Sequence, residues 1–288
     1  MAALSVVSLV GLVWLVPSGA FLMAFLGVVI LSHEAGHLLV ARWVGMRPTE
    51  FFWGFGPEIV ALEHNDCRYG LKLLFLGGYV RLIGMTPSSE LPDGFDEADT
   101  YRAASHRGRL ATILAGPVVN IVMAWLAFTA AAVFDGRGLG AALTAGGGDV
   151  WYVVSGTGQA LWIWVANIGD YLGSFFDTTG LSEPPVRFMS PVSQAEVSGW
   201  AVGNGLTTTL RWFGILSCAV GVVNLLPLPP LDGSHALVAG VEGGLDRLRK
   251  GSTVRLDVTR LVPLAYVTIG VLVFLSLTAL VMDIRDIT

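Results

Sequence analysis

Charge is what this sequence has least of. Only 14% of its 288 residues are Asp, Glu, Lys or Arg, and residues 1–32 carry none. An ordinary soluble domain holds about 25% charged residues. With 53% hydrophobic residues and a mean hydropathy of +0.67, the chain falls outside that class. Cysteine is nearly absent too: Cys67 and Cys218 stand alone, which excludes a disulfide framework and offers no zinc-ligand spacing. Basic residues form no run and match no known motif, so no nucleic-acid partner is expected. The N-terminus lacks the basic region and the small-residue cleavage site of a signal peptide.

Long apolar runs are what is present. Four stretches, about 19–40, 110–134, 210–231 and 261–281, are almost wholly apolar. Around twenty residues at 1.5 Å rise cross a hydrocarbon core of about 30 Å, so four transmembrane helices are expected. Arg211 sits at the edge of the third, where its stem can snorkel. Residues 1–18 form a separate apolar segment, read as an interfacial helix or a kinked extension of the first span. Lys and Arg are unevenly shared: eight fall between spans one and two, only Arg137 and Arg187 between two and three, and five between three and four. The positive-inside rule then places the first and third loops in the cytoplasm and both termini outside. A multi-pass membrane protein is expected, mainly α in class.

The connections differ in character. In residues 50–85, aromatic and β-branched residues alternate with turn residues, which predicts strands and hairpins. The segment is too apolar for a solvated sheet. It is expected to re-enter the membrane from the cytoplasmic side, buried by protein or lining a cavity. An acidic, Pro- and Gly-containing loop follows. "DGRGLGAALTAGGGD" reads as a flexible connection. Residues 151–176, rich in Trp and Tyr but broken by Gly, Asn and Asp, read as outer interfacial helices rather than a fifth span. The expected organisation is 19–134 for two core spans and the β segment, 135–205 for an extracytoplasmic interfacial region, and 206–288 for the last two spans.

The first span carries His33, Glu34 and His37 in "ILSHEAGHLLV". Histidines four apart share one helix face. The pattern H-E-x-x-H binds zinc through both imidazoles and uses the glutamate as general base on the metal-bound water. Chance polar residues are the bland alternative, but an ionisable group near a bilayer centre costs about 2.5–3.5 kcal/mol on insertion scales. A catalytic zinc also needs a third protein ligand and an open position. Asp232, in "NLLPLPPLDGSH" at the end of the third span, is the first candidate. Pro227, Pro229 and Pro230 forbid a regular helix before it, and buried irregular backbone at membrane depth usually lines a site. It could equally be a helix-starting aspartate. His235 competes with it as ligand, but at i+3 it suits better the orienting of the carboxylate from behind. His64 is expected in a hairpin turn, and His106 facing headgroups or solvent.

With H-E-x-x-H in the first core span and N-x-x-P-x-P-x-L-D-G in the third, the chain resembles the site-two protease family of intramembrane zinc metalloproteases. "WGFGPEI", "LGGYVRLIGM", "AGPVVNIVMA" and "SPVSQAEVSG" follow in family order. The resemblance implies that His33, His37 and Asp232 hold Zn2+ and that Glu34 activates water. It implies that Asn224 holds the substrate backbone, and that Gly77 and Gly78 lie in a β edge that adds a substrate strand. Asn120 matches the family's G-P-x-x-N pattern, with a structural or gating role. Larger bacterial members carry PDZ domains between the second and third core spans; residues 136–149 stand where one would begin, and no such strand pattern follows. "GMTPSSEL" and "LPLPPLDGSH" are similar to actinobacterial-type members. The implied activity is endoproteolysis in or near transmembrane segments of membrane proteins, in regulated intramembrane proteolysis of an anti-sigma factor or a remnant signal peptide. Two rivals remain: a catalytically silent relative that binds membrane helices, and a metal transporter. The transporter would repeat ionisable residues across several spans, which spans two and four do not.

Overall fold

The computed structural model describes residues 17–85, 91, 93–167, 169, 170, 173, 188–248 and 256–287. The expectations for residues 1–16 and for most of 168–187 lie outside these. The chain order is α1 (Pro17–Trp43), β1 (Pro48–His64), β2 (Cys67–Leu82), α2 (His106–Phe134), α3 (Leu139–Ala166), α4 (Pro191–Gly203), α5 (Leu206–Asn224), α6 (Asp232–Leu248) and α7 (Val262–Ile287). Among the described residues, four helical segments are long and apolar enough to cross a membrane: Pro17–Trp43, His106–Phe134, Leu206–Asn224 and Val258–Asp283. Their number and order are those expected from the apolar runs.

Local chemistry sets the helix ends. Pro17 opens α1, where its fixed φ suits the first turn. Gly45, at φ +89°, closes it: the Met46 N–H bonds the Ala41 carbonyl and the Gly45 N–H bonds that of Arg42. Gly136 ends α2 in the same way, with Arg137 bonding Ala132 and Gly136 bonding Val133. Only glycine adopts this left-handed position without penalty. The third span ends at Asn224 instead of running on to Leu231, because Pro227, Pro229 and Pro230 cannot continue the hydrogen-bond ladder.

The chain divides into two compact units. One comprises residues up to Phe25, Met123–Ala219 and those from Ile269; the other comprises Leu26–Val122 and Val220–Thr268. The first is helical. Ser190 caps α4 by accepting from the Val192 and Ser193 N–H groups, with Pro191 in the first turn. Phe25 packs edge-on to Phe213 at 6.3 Å, and Arg211 pairs with Asp135 at 2.6 Å. The "GAALTAGGGD" stretch is not a flexible connection, as its glycines suggested, but the start of α3. Gly146 explains this: a Cβ there would meet the Thr129 nitrogen at 3.0 Å and the Trp125 carbonyl at 3.1 Å. Helix-on-helix packing at a bare Cα outweighs a cost of about 1 kcal/mol per helical glycine.

The second unit contains the sheet. Asn65 and Asp66, at φ 49° and 57°, turn β1 into β2, the backbone that a two-residue hairpin requires. His64, expected within the turn, is instead the last residue of β1, directly before it. The first half of β1 is flanked twice by β2. Phe51, Phe52 and Trp53 oppose Val80, Tyr79 and Gly78, and on the other side Tyr69, Gly70 and Leu71. Phe52 is wholly buried and stacks on Tyr79 at 5.7 Å. Among the described residues, the stretch Gly78–Leu82 pairs only with β1, so its other edge is open. Ala41, Met46, Tyr101, Ile113 and Ala239 form the apolar core of this unit.

His106, expected to face headgroups or solvent, is about a third exposed and is also held by partners. Its Nε2 lies 2.7 Å from Asp246, and Arg109 reaches its Nδ1. Arg109 also pairs with Glu242, each side chain 3% exposed, and Glu242 accepts the Leu256 N–H. Removing one partner strands a buried charge. Arg109→Ala is therefore expected to lower stability by about 3–5 kcal/mol, read as a fall in the thermal midpoint in detergent. Arg109→Met combined with Glu242→Leu should recover part of the loss. An unchanged midpoint for the single variant would contradict the buried-pair account.

Candidate metal centre

Two helices of the sheet-bearing unit approach closely because small residues face each other. A Cβ on Gly36 would sit 2.8 Å from the Ala115 carbonyl, so α1 and α2 meet there backbone to backbone. On α1, one turn apart, His33 and His37 are 6% and 8% exposed, and their Nε2 atoms lie 3.1 Å apart. Asp232 begins α6, and its Oδ2 stands 2.9 Å from His33 Nε2 and 3.4 Å from His37 Nε2. The sequence "LDG" explains its placement. The bare Cα of Gly233 packs directly on the Leu225 and Leu226 carbonyls, where any side chain would push α6 away.

Hydrogen bonding establishes what these atoms offer. His37 Nδ1 is 2.7 Å from the Thr112 carbonyl. A carbonyl can only accept, so Nδ1 carries the proton and the Nε2 lone pair points toward Asp232. Burial alone would raise the Asp232 carboxyl, but the two imidazoles beside it outweigh burial and hold it at about 2. Its Oδ2 is buried and makes no hydrogen bond, although both imidazoles stand at ion-pair distance. The His37 Nε2 lone pair and the Asp232 carboxylate thus face one another in a buried setting with His33 Nε2 beside both, an arrangement that suits a cation. Their separations of 2.9–3.4 Å match the roughly 3.3 Å between ligands that lie about 2.0–2.1 Å from a tetrahedral ion. Gly116 leaves the space open: a Cβ there would meet His37 Nε2 and, at 2.7 Å, His33 Nε2. Two imidazoles, one carboxylate and an open position fit a catalytic zinc.

Around this point is a cleft of about 140 Å³ whose walls include Glu34, His37, Gly78, Val80, Asp232 and His235. Glu34 stands between the imidazoles and the open edge of β2. Its Cγ is 3.1 Å from where a Gly78 Cβ would be, and the Val80 N–H reaches its carboxylate. His235 lines the cleft but is not one of the three converging ligands. Burial pushes its imidazole below the ordinary value, and Asp232, acting in the opposite direction, does not overcome this.

The structure therefore brings His33, Glu34, His37, Asp232, His235 and Gly78 together. Gly77 instead packs under the Phe55 ring, and Asn224 donates to the Val220 carbonyl of its own helix. Sequence reasoning missed Thr112 and Gly116 and gave Asn120 no definite task. Their signal was a spacing of four on α2, hidden within an apolar span.

Gly116→Ala is expected to cut bound zinc to about a tenth or less of wild type, because the new methyl group occupies the ligand cradle. Gly240→Ala, with open space around it, should change nothing. Metal content of the purified proteins by mass spectrometry decides, and full zinc in the first variant would refute the placement.

Comparison with known proteins agrees with this geometry. Residues 20–261 match the model of peptidase family M50. A protein of Brucella suis, provisionally named a zinc metalloprotease, is 26% identical over an alignment covering 75% of this chain and 83% of the relative. One of Clostridium acetobutylicum, provisionally named likewise, is 31% identical over 41% of this chain and 33% of its own length. Zinc metalloprotease Rip1 of Mycobacterium tuberculosis is 40% identical over 95 residues, 33% of this chain and 23% of the relative. The match spans more than four-fifths of the chain and includes every residue of the cleft: this protein belongs to peptidase family M50, the site-two protease family.

Proposed function

We propose that this protein is a zinc-dependent intramembrane endopeptidase that cuts membrane-protein substrates in or near their transmembrane segments. The observation that carries the reading is the convergence of His33, His37 and Asp232 on one point, bordered by Glu34 and an open strand edge. Bound there, zinc supplies Lewis acidity toward a peptide carbonyl and makes water acidic enough to attack near neutral pH. Glu34 takes the proton of the attacking water and delivers it to the departing amide nitrogen, so one water is consumed per bond broken. His235, neutral in its buried position, orients the Asp232 carboxylate from behind.

A transmembrane helix hides its carbonyls in its own hydrogen bonds, so it must unwind before attack. The open side of Gly78–Leu82 offers the unwound segment a strand to pair with, satisfying its backbone away from water. Gly78 keeps that edge close to Glu34, because a side chain there would strike Ile30 at 3.0 Å and the Phe52 carbonyl at 3.1 Å. Asn224 would hold substrate backbone only after releasing the Val220 carbonyl. In this reading β1 and β2 re-enter the membrane on the cytoplasmic side, the active site faces the cytoplasm and both termini lie outside. Aromatic residues Trp151, Tyr152 and Trp162, exposed at 71–78%, suit an α3 that lies in the outer interface. The lipid bilayer is then a partner, and an anti-sigma factor or remnant signal peptide a fitting substrate class.

Two substitutions test the site. Glu34→Gln should keep zinc but slow cleavage of a model single-span peptide in detergent by about 10²–10⁴-fold. Asp232→Ala should lose zinc and activity together. Full cleavage by Glu34→Gln would overturn the general-base role, and wild type that holds zinc yet cuts no membrane peptide would favour a silent helix-binding relative.

A further inference from the structure

Resting on the metal reading above, we propose that Asn120 is a positioning residue: its side-chain oxygen accepts the Nδ1–H of His33 and so fixes the tautomer in which Nε2 is free for the metal.

The argument starts from an asymmetry between the two imidazoles. His37 has its tautomer set by a main-chain carbonyl, Thr112, which can only accept. His33 has no such carbonyl. What stands 3.1 Å from its Nδ1 is the side-chain nitrogen of Asn120, so the acceptor role requires the carboxamide to be turned end for end, with its oxygen in that place. A metal on Nε2 requires the proton on Nδ1, and that proton needs an acceptor in a buried site. The two ends of a carboxamide have the same shape and differ only in what they bond. With the oxygen turned toward Nδ1, the amide supplies the missing acceptor. With nitrogen toward Nδ1, it would instead stabilise the tautomer protonated at Nε2, which cannot bind metal.

Placement supports the assignment. Asn120 is wholly buried. A Cβ on Gly221 of α5 would lie 3.2 Å from the Asn120 Cβ and 3.0 Å from the Pro117 carbonyl, so helix α5 holds the amide against His33. Thr112, Gly116 and Asn120 are spaced by four along α2 and therefore lie along one face. That face supplies, in order, the carbonyl for His37, the open space over both Nε2 atoms and the amide for His33. One turn of H-E-x-x-H on α1 is matched by two turns of outer support on α2.

The test compares Asn120→Ala and Asn120→Asp with wild type, all loaded with zinc in detergent. The readout is the rate at which zinc passes to a chromophoric chelator, with the thermal midpoint of the zinc-free proteins as a check on folding. Losing an outer partner of this kind typically weakens metal binding about 10–100-fold, so Asn120→Ala should release zinc at least tenfold faster. Asn120→Asp keeps an acceptor oxygen and should release zinc no faster than wild type. Wild-type release from Asn120→Ala overturns the proposal, as does equally fast release from both variants, which would make the amide a packing element only. Zinc-free wild type would instead overturn the metal reading itself.

Discussion

Two imidazoles and a carboxylate pressed within 3.4 Å of each other, inside helices made almost wholly of apolar residues, are the constraint that the sheet-bearing unit is built around. Without a cation, the His37 lone pair and the Asp232 carboxylate in that setting repel one another and are cut off from water. Each neighbouring feature acts to hold them together. Gly36 lets α1 and α2 meet at backbone distance, and Gly116 keeps the space over the ligand atoms empty. Gly233 lets α6 start hard against the end of α5, which puts Asp232 opposite the histidines. None of these glycines adopts an unusual backbone angle; what each contributes is the absence of a side chain.

A second layer of polar contacts holds the supporting elements. Arg109, Glu242, His106 and Asp246 tie α6 to the start of α2, so the helix that carries Asp232 is anchored on the helix whose Thr112 carbonyl holds His37. On the sheet, Tyr79 donates to Glu50 and accepts from Lys72, while Arg81 pairs with Glu50. These bonds hold the strand that carries Gly78 and Val80 in register with β1.

Much was legible from residues alone. Apolar runs located four helices, because a bilayer demands length and composition and little else. H-E-x-x-H was readable because its spacing is local to one helix, and the proline-rich approach to Asp232 marked irregular backbone. Other expectations failed where packing overrode propensity. The glycines of α3 looked like a linker until Gly146 was seen to be a contact point. His106, about a third exposed, gave no sign in the sequence of its partner Asp246, 140 positions later.

The sequence by itself determined that this chain is a membrane protein, where its helices run, which two histidines share a face and which aspartate could join them. Those are properties of composition, of a 3.6-residue period and of covalent stiffness at proline, all written along the chain. Only the tertiary structure decided that Asp232 rather than His235 stands against both imidazoles, that the edge of β2 stands beside Glu34, and that Thr112, Gly116 and Asn120 face the imidazoles. These depend on how closely separate helices approach. That distance is set by pairs of small residues far apart in the chain, which no local pattern pairs with one another.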